Sequence, residues 1–332
     1  MDKKAKNILR YLFWAAVAVA LLYFCFSRVD WEQFLAALAQ CRWGYIALAF
    51  VLGVLMQLLR GLRWRMLLLP LDPDTGGITA CNAYNIGMAV NLALPRAGEL
   101  VRMGYAVNHS AIGADGQRRA GFDKALGTVV TERLIDVLVM LLLTGLALAL
   151  KWEWFAPYLG SGLHGDKLRT MVLILLALLV LAGAGLYLAW RFRERGTARV
   201  WQFLQGIWNG VASIAHMRRG WLFVLHTLLI WGLHVLTSAC IIWALQDMPL
   251  FAGMTLADAF LIMLAGSLST VIPAPGGFGA YHTVVTAALS GIWGIPAAMG
   301  LVFATLNHET QVLVQAVCGL VSYVHESFFR KA

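Results

Sequence analysis

A chain of 332 residues that is 60% hydrophobic and only 13% charged, with a mean hydropathy of +0.73, excludes a single soluble domain, because too little polar surface is available to cover so much apolar side chain. It reads as an all-α, polytopic integral membrane bundle. The formal net charge of +9 does not argue for a nucleic-acid partner, since the basic residues sit in short clusters beside apolar runs, where membrane topology and anionic lipid account for them.

In chain order, Lys3, Lys4, Lys6 and Arg10 precede an apolar run over 11–26 that lacks a convincing small-residue cleavage site and reads as a retained first span. A second run over 44–59 is followed by Arg60, Arg63 and Arg65. The next segment, 82–106, is shorter and interrupted: Asn91-Leu-Ala-Leu-Pro95-Arg96-Ala-Gly98-Glu99-Leu-Val-Arg102. Ionisable groups at membrane depth cost roughly 2.5 to 3.5 kcal/mol each on insertion scales, so they persist where they face a polar cavity, a partner or a substrate. Arg96, Glu99 and Arg102 are spaced by three, and a helix starting near Pro95 places them on roughly one face. Two arginines there can take a phosphate through their planar forks, with the glutamate orienting them. The alternative is an interfacial ion pair that holds the bend.

Arg118, Arg119 and Lys124 precede a third span over 129–150, which opens with Thr131-Glu132-Arg133-Leu-Ile-Asp136. Glu132 stacks over Asp136, and Arg133 reaches Asp136 at three residues; the group reads as counter-ions to the arginines, as proton-coupling residues, or as a structural salt-bridge network. A fourth span over 171–190 is followed by Arg191, Arg193, Arg195 and Arg199. Residues 199–219 are too polar to span yet carry apolar residues at helical spacing, which reads as an interfacial cytoplasmic helix. A fifth span covers 221–245.

The second interrupted segment, 256–294, contains Ile272-Pro273-Ala-Pro275-Gly276-Gly277-Phe-Gly279 with His282 just beyond, and Asp258 is placed to cap, or to snorkel, at the start of its first half. Proline and glycine break the helical ladder and free backbone groups, which either attract phosphate at a half-helix start or simply form a tight turn. The last span, 297–322, carries Asn307-His308-Glu309-Thr310-Gln311, with His308 and Glu309 expected to face His282.

The basic clusters all fall on one side of this arrangement, placing both termini in the cytoplasm, and Trp31, Trp43, Trp152, Trp154 and Trp243 form an outer belt. The expected architecture is therefore one transmembrane domain of six full spans and two re-entrant helix pairs, entering from opposite sides as an inverted repeat with halves near 1–150 and 171–332. Eight crossings are the alternative if both halves of 256–294 span fully. Five scattered cysteines give neither a disulfide framework nor a zinc pattern, and His308-Glu309 alone is too little for a metal site. Enzyme signatures such as G-x-S-x-G, H-E-x-x-H and the phosphate-loop lysine are missing, so no cofactor is implied.

Taken in order, Asn91 to Arg102, Thr131 to Asp136 and Pro273 to Gly279 resemble the flippase-like family built on the transmembrane region of lysylphosphatidylglycerol synthases, over nearly the whole chain. The resemblance implies movement of charged or glycosylated lipids between leaflets. Some family members carry a fused domain that aminoacylates phosphatidylglycerol; these 332 residues contain none, so the synthase activity is not carried over. The family often places an acidic residue shortly after the Gly-rich break, where this chain has His282, which tilts the expected substrate toward an anionic, glycosylated or polyprenyl lipid. The expected headgroup site is Asn91, Arg96, Glu99, Arg102, Pro275, Gly276, Gly277, Gly279 and His282. Glu132, Arg133, Asp136, His308 and Glu309 are expected to support it as a charge network or a proton-coupling path. The expected setting is the inner membrane of a bacterium, with a lipid-synthesising enzyme as a candidate partner; a membrane-embedded lipid-modifying enzyme and a non-catalytic pathway subunit are the competing readings.

Overall fold

A computed structural model describes residues 23, 31–113, 116, 118–150, 219–272 and 274–328. The spans expected over 11–26 and 171–190 and the interfacial helix over 199–219 lie outside these residues, apart from Tyr23 and Arg219. The described chain is helical: α1 (Trp31–Ala39), α2 (Trp43–Leu68), α3 (Gly77–Ala93), α4 (Ala97–Asn108), α5 (Phe122–Leu150), α6 (Gly220–Leu245), α7 (Leu256–Leu268), α8 (Ala280–Trp293) and α9 (Ala297–Phe328), with 3-10 turns at Ser269–Val271 and Pro275–Gly277. It divides into two compact units, Met1–Leu126 with Arg219–Ala332, and Gly127–Arg218. Everything in the following two paragraphs belongs to the first unit.

Helices α2 and α6, 26 residues each, have the length and apolarity to cross a membrane. At 1.5 Å per residue each is about 39 Å long. The limits of α6 agree with the sequence reading, whereas α2 runs nine residues further than expected. Nothing between Arg60 and Leu68 breaks a helix; Leu69 still has helical backbone, and the helix ends at Pro70, which has no N–H to continue the ladder. Arg60, Arg63 and Arg65 are therefore helical rather than loop charges. Arg63 is fully buried, with Nη1 3.4 Å from the Thr227 hydroxyl and its guanidinium over the Phe223 ring. Arg60 donates to Nε2 of His234 at 2.7 Å. Both arginines thus tie α2 to α6, which pack along one another.

Helices α3 and α4 form one hairpin, and α7 and α8 form another. Helix α9 serves as a ruler along which both can be placed. Near its start, Gly300 lies against Thr286 of α8. His308 then reaches the carbonyl of Gly276 at the α7–α8 tip, at 2.9 Å. Further along, Gly319 lies against Ala89, Ser322 accepts from Asn85 at 3.1 Å, and Glu326 accepts from Asn82 at 2.6 Å. Rising numbers on α9 thus meet falling numbers on α3, so the two hairpins point toward each other with their tips near the middle of α9. Each arm other than α3 has 12 to 14 residues, about 18 to 21 Å against a hydrocarbon core of roughly 30 Å.

Helix α5 has 29 residues and carries its Glu132-Arg133-Asp136 group into the second unit. It begins seven residues before the expected span, taking Lys124 into the helix.

Candidate functional site

The tip of the α3–α4 hairpin is built by one direct backbone approach and one side-chain clamp. A Cβ at Gly98 would stand 1.9 Å from the carbonyl oxygen of Gly87, so the helices touch through bare backbone and no other residue fits there. Asn91 then clamps the turn, its Oδ1 accepting the Gly98 N–H at 2.8 Å and its Nδ2 donating to Glu99 at 3.2 Å. Gly98 is in the first turn of α4, where backbone N–H groups have no partner inside the helix, so the asparagine supplies from α3 what a capping side chain would normally supply.

Arg96 sits between the helices at φ 62°, the one non-glycine residue with positive φ among the described residues. It makes no side-chain cap, and its side chain is exposed. Arg102, six residues and about 9 Å further along the helix axis, is buried, its guanidinium 4.9 Å from the Trp64 ring centre and 5.3 Å from that of Tyr84. The expectation that Arg96, Glu99 and Arg102 share a helix face is corrected accordingly. Arg96 precedes the helix in a left-handed conformation, so one arginine lies at the tip and the other lies inside, on an aromatic platform that carries part of its charge.

At the opposing tip, Gly276, Gly277 and Gly279 have φ of 57°, 79° and 77°, and the turn they make packs against the end of α3. A Cβ on Gly276 would lie 3.4 Å from the carbonyl oxygen of Leu92, so the two interrupted segments meet. Pro273 lies outside the described residues. His282, in the first turn of α8, is 1% exposed in its side chain, and its Nε2 is 3.6 Å from Oε1 of Glu309. The same oxygen is 3.0 Å from Nδ1 of His308, whose ring stands 5.0 Å from that of His282. Glu309 itself is 42% exposed, so this cluster opens outward through its carboxylate.

The structure therefore gathers Asn91, Gly98 and Glu99 at one tip, Gly276, Gly277, His282, His308 and Glu309 at the other, and brings the tips together. It places Arg102 behind this junction. Of the α5 group, Glu132 is buried, Asp136 half-buried and Arg133 exposed, all in the second unit.

Sequence reading missed the supports of this site. Asn307 donates to the Tyr281 hydroxyl at 2.7 Å and to Ser238 at 3.2 Å, fixing α9 to α8 and α6 beside the histidines. Trp64 and Tyr84, the platform for Arg102, come from helices 38 and 18 residues away. No local spacing marks such a pairing; the available signal was only that a buried arginine needs a partner.

The described residues are helical, with two helices long and apolar enough to cross a membrane and two opposed hairpins with interrupted tips, the features of a helical membrane protein. The chain belongs to the family of the lysylphosphatidylglycerol synthase transmembrane region, whose model matches residues 11–319. Comparison with curated proteins and with solved structures gives no match. The family places the chain in membrane lipid biology.

Proposed function

We propose that the protein binds the phosphate-bearing headgroup of a membrane lipid where the two hairpin tips meet and carries it between leaflets. The observation that supports this most directly is the contact between Gly276 and the Leu92 carbonyl beside an exposed arginine, Arg96. If α9 crosses the bilayer, the hairpins enter from opposite faces as re-entrant pairs and their tips lie near the middle. Interrupted helices of that kind form substrate sites in transporters, because freed backbone groups at membrane depth need a polar partner. Arg96 would take the phosphate first. Arg102 would add positive field from within, and Glu99, fixed by Asn91, would orient the tip.

The expected setting is a bacterial cytoplasmic membrane, with both termini inside. The substrate class is an anionic, glycosylated or polyprenyl lipid, since the position after the Gly-rich turn is the imidazole of His282 rather than a carboxylate that would favour an amine.

Liposomes holding the purified protein and a fluorescent phospholipid or polyprenyl-phosphate lipid provide the test, with leaflet exchange read by quenching from outside. The protein should accelerate exchange at least tenfold over empty liposomes, and Arg96→Ala should abolish the gain while leaving the melting temperature unchanged. A lipid recovered chemically altered would replace this reading with that of a lipid-modifying enzyme. Wild-type exchange equal to that of empty liposomes, across both lipid classes, would sink the transport reading and leave a role beside a lipid-synthesising partner.

A further inference from the structure

The sequence places His308 beside Glu309 and leads to the expectation that both face His282; the fold brings the three groups together. His282 arrives from α8, and one ligand atom from each of His282, His308 and Glu309 lies within 4.8 Å of the others. We propose that His282 Nε2, His308 Nδ1 and the Glu309 carboxylate bind a divalent transition-metal ion of the zinc class. Two imidazoles and one carboxylate are a donor set of catalytic zinc sites, which leave a fourth position open. Bonds of about 2.0 to 2.2 Å at tetrahedral angles put donor atoms roughly 3.4 Å apart. Oε1 of Glu309 already stands 3.0 Å from His308 Nδ1 and 3.6 Å from His282 Nε2. The remaining adjustment falls on the two rings, whose imidazole nitrogens lie within 4.8 Å of each other. Binding one ion would draw them together toward the roughly 3.4 Å of a tetrahedral pair, a small rotation of His282 and His308 about their side-chain bonds.

A second observation points the same way. Nε2 of His308 lies 2.9 Å from the carbonyl oxygen of Gly276. Metal-bound histidines commonly donate their other ring N–H to a backbone carbonyl, which fixes the tautomer and aims the ligating nitrogen. Without a metal, both nitrogens of His308 face oxygen acceptors, and only a doubly protonated ring satisfies both. His282 Nε2 faces the same carboxylate oxygen and would call for a further N–H. One metal ion settles all three contacts with neutral imidazoles: the nitrogen lone pairs and the carboxylate bind the ion, and His308 keeps its single N–H for Gly276. Imidazole ligands suit zinc, copper, nickel and iron rather than magnesium or calcium.

The site would fasten α8 to α9 and, through Gly276, to the turn that touches α3. Its open position would accept an anionic oxygen, that of a lipid phosphate or of free phosphate. The metal assignment rests on side-chain geometry alone and does not depend on lipid transport.

The experiment uses the full chain, without an oligohistidine tag, purified in detergent and stripped with a chelator. Zinc is titrated in competition with a fluorescent zinc chelator, and metal content is measured by elemental analysis after dialysis. One zinc per chain is expected, and cobalt in its place should give the visible absorption of a tetrahedral site. Glu309→Gln and His282→Asn should each weaken zinc binding at least tenfold, and Glu309→Gln should melt with the metal-free wild type, which separates ligand loss from misfolding. Zinc bound with the same affinity by wild type, Glu309→Gln and His282→Asn, or less than a tenth of an equivalent held by the wild type, would overturn the assignment. Leaflet exchange that survives in such a zinc-free protein would leave the transport reading standing, and zinc bound without exchange would leave the metal site standing. If zinc binds, adding phosphate or vesicles of anionic lipid to the cobalt form should shift its spectrum; a shift with vesicles alone would assign the open position to the headgroup, and no shift with either would remove the anion from the proposal.

Discussion

The two hairpins solve the same problem with different materials. Each must reverse the chain at its tip through left-handed backbone. At the α7–α8 tip three glycines take that conformation, and the turn is secured by a side chain from elsewhere, His308 of α9. At the α3–α4 tip an arginine takes it, and the turn is secured from within, by Asn91 and by the bare contact of Gly87 with Gly98. An L-residue there costs of the order of 1 to 2 kcal/mol that glycine avoids. A strained arginine, exposed at a tip and making no cap, contributes nothing to the turn that explains its presence. The comparison thus separates a tip shaped by backbone freedom from a tip that bears strain to present a side chain.

The largest expected effect breaks the first tip. Gly98→Ala would drive a methyl into the Gly87 carbonyl, a backbone atom that cannot step aside, at a cost of about 3 kcal/mol or more. Little folded protein should survive, as judged by monodispersity in detergent. Gly277→Ala is the matching change at the other tip, where the new methyl meets His308 Nε2 at 3.3 Å and the main cost is the left-handed backbone, about 1 to 2 kcal/mol. Equal damage at both sites would mean that the two tips are not built differently.

Asn91→Ala ranks next. It strands the Gly98 N–H and releases Glu99, for a loss of about 1 to 3 kcal/mol read as a lowered melting temperature. Asn91→Asp keeps the acceptor for Gly98 but sets a charge against Glu99, so it should recover only part of that loss. Full recovery would show that the contact with Glu99 adds nothing.

Arg96→Gly sharpens the comparison in the opposite direction. Relief of the left-handed strain should raise stability, offset in part by the greater freedom of glycine in the unfolded chain, for a net gain of about 0.5 to 1 kcal/mol. Exchange of the labelled lipid should nevertheless stop. A variant that loses both stability and exchange would return Arg96 to a structural role.

These contrasts also mark what the sequence could disclose. Both breaks were legible because proline and clustered glycine act through local backbone geometry, and the limits of α6 were legible because its apolar run has no competing signal. Charge was the poorer guide. Arg60, Arg63 and Arg65 resemble a loop cluster, yet they lie on a helix whose neighbours supply a histidine, a threonine and an aromatic ring, and those partners are more than 150 residues away. Arg96 and Arg102 suggest one helical face at their spacing, but the left-handed turn falls between Pro95 and Ala97 and takes Arg96 off that face. His282 was expected to meet His308 and Glu309, and it does; that His308 also grips Gly276 was not visible, because the carbonyl is free only once the turn has formed.

The smallest effect concerns the hairpin bases. The α7–α8 base is held by a capping box at Thr255 and by the Trp293 indole donating to Asp258 at 3.1 Å. The α3–α4 base instead depends on Asp72, in the link between α2 and α3. Burial pushes its carboxyl upward, but the N–H of Ala111, the Ser110 hydroxyl, the N–H of Asp74 and the Arg119 guanidinium together outweigh burial and hold it below the usual carboxylate range. A carboxyl lowered in the folded state contributes stability that is complete above its unfolded value, near pH 4, and is lost as pH falls through the lower folded value. Asp72→Asn should therefore melt below the wild type at neutral pH, and the gap should close on acidification below about pH 4, when the wild-type carboxyl becomes as neutral as the amide. The difference between the two melting curves isolates Asp72 from the other carboxylates, which titrate in both proteins. A gap that stays constant from pH 7 to pH 3 would mean that Asp72 holds the base through its shape rather than its charge, and the two hairpin bases would then differ in sequence but not in kind.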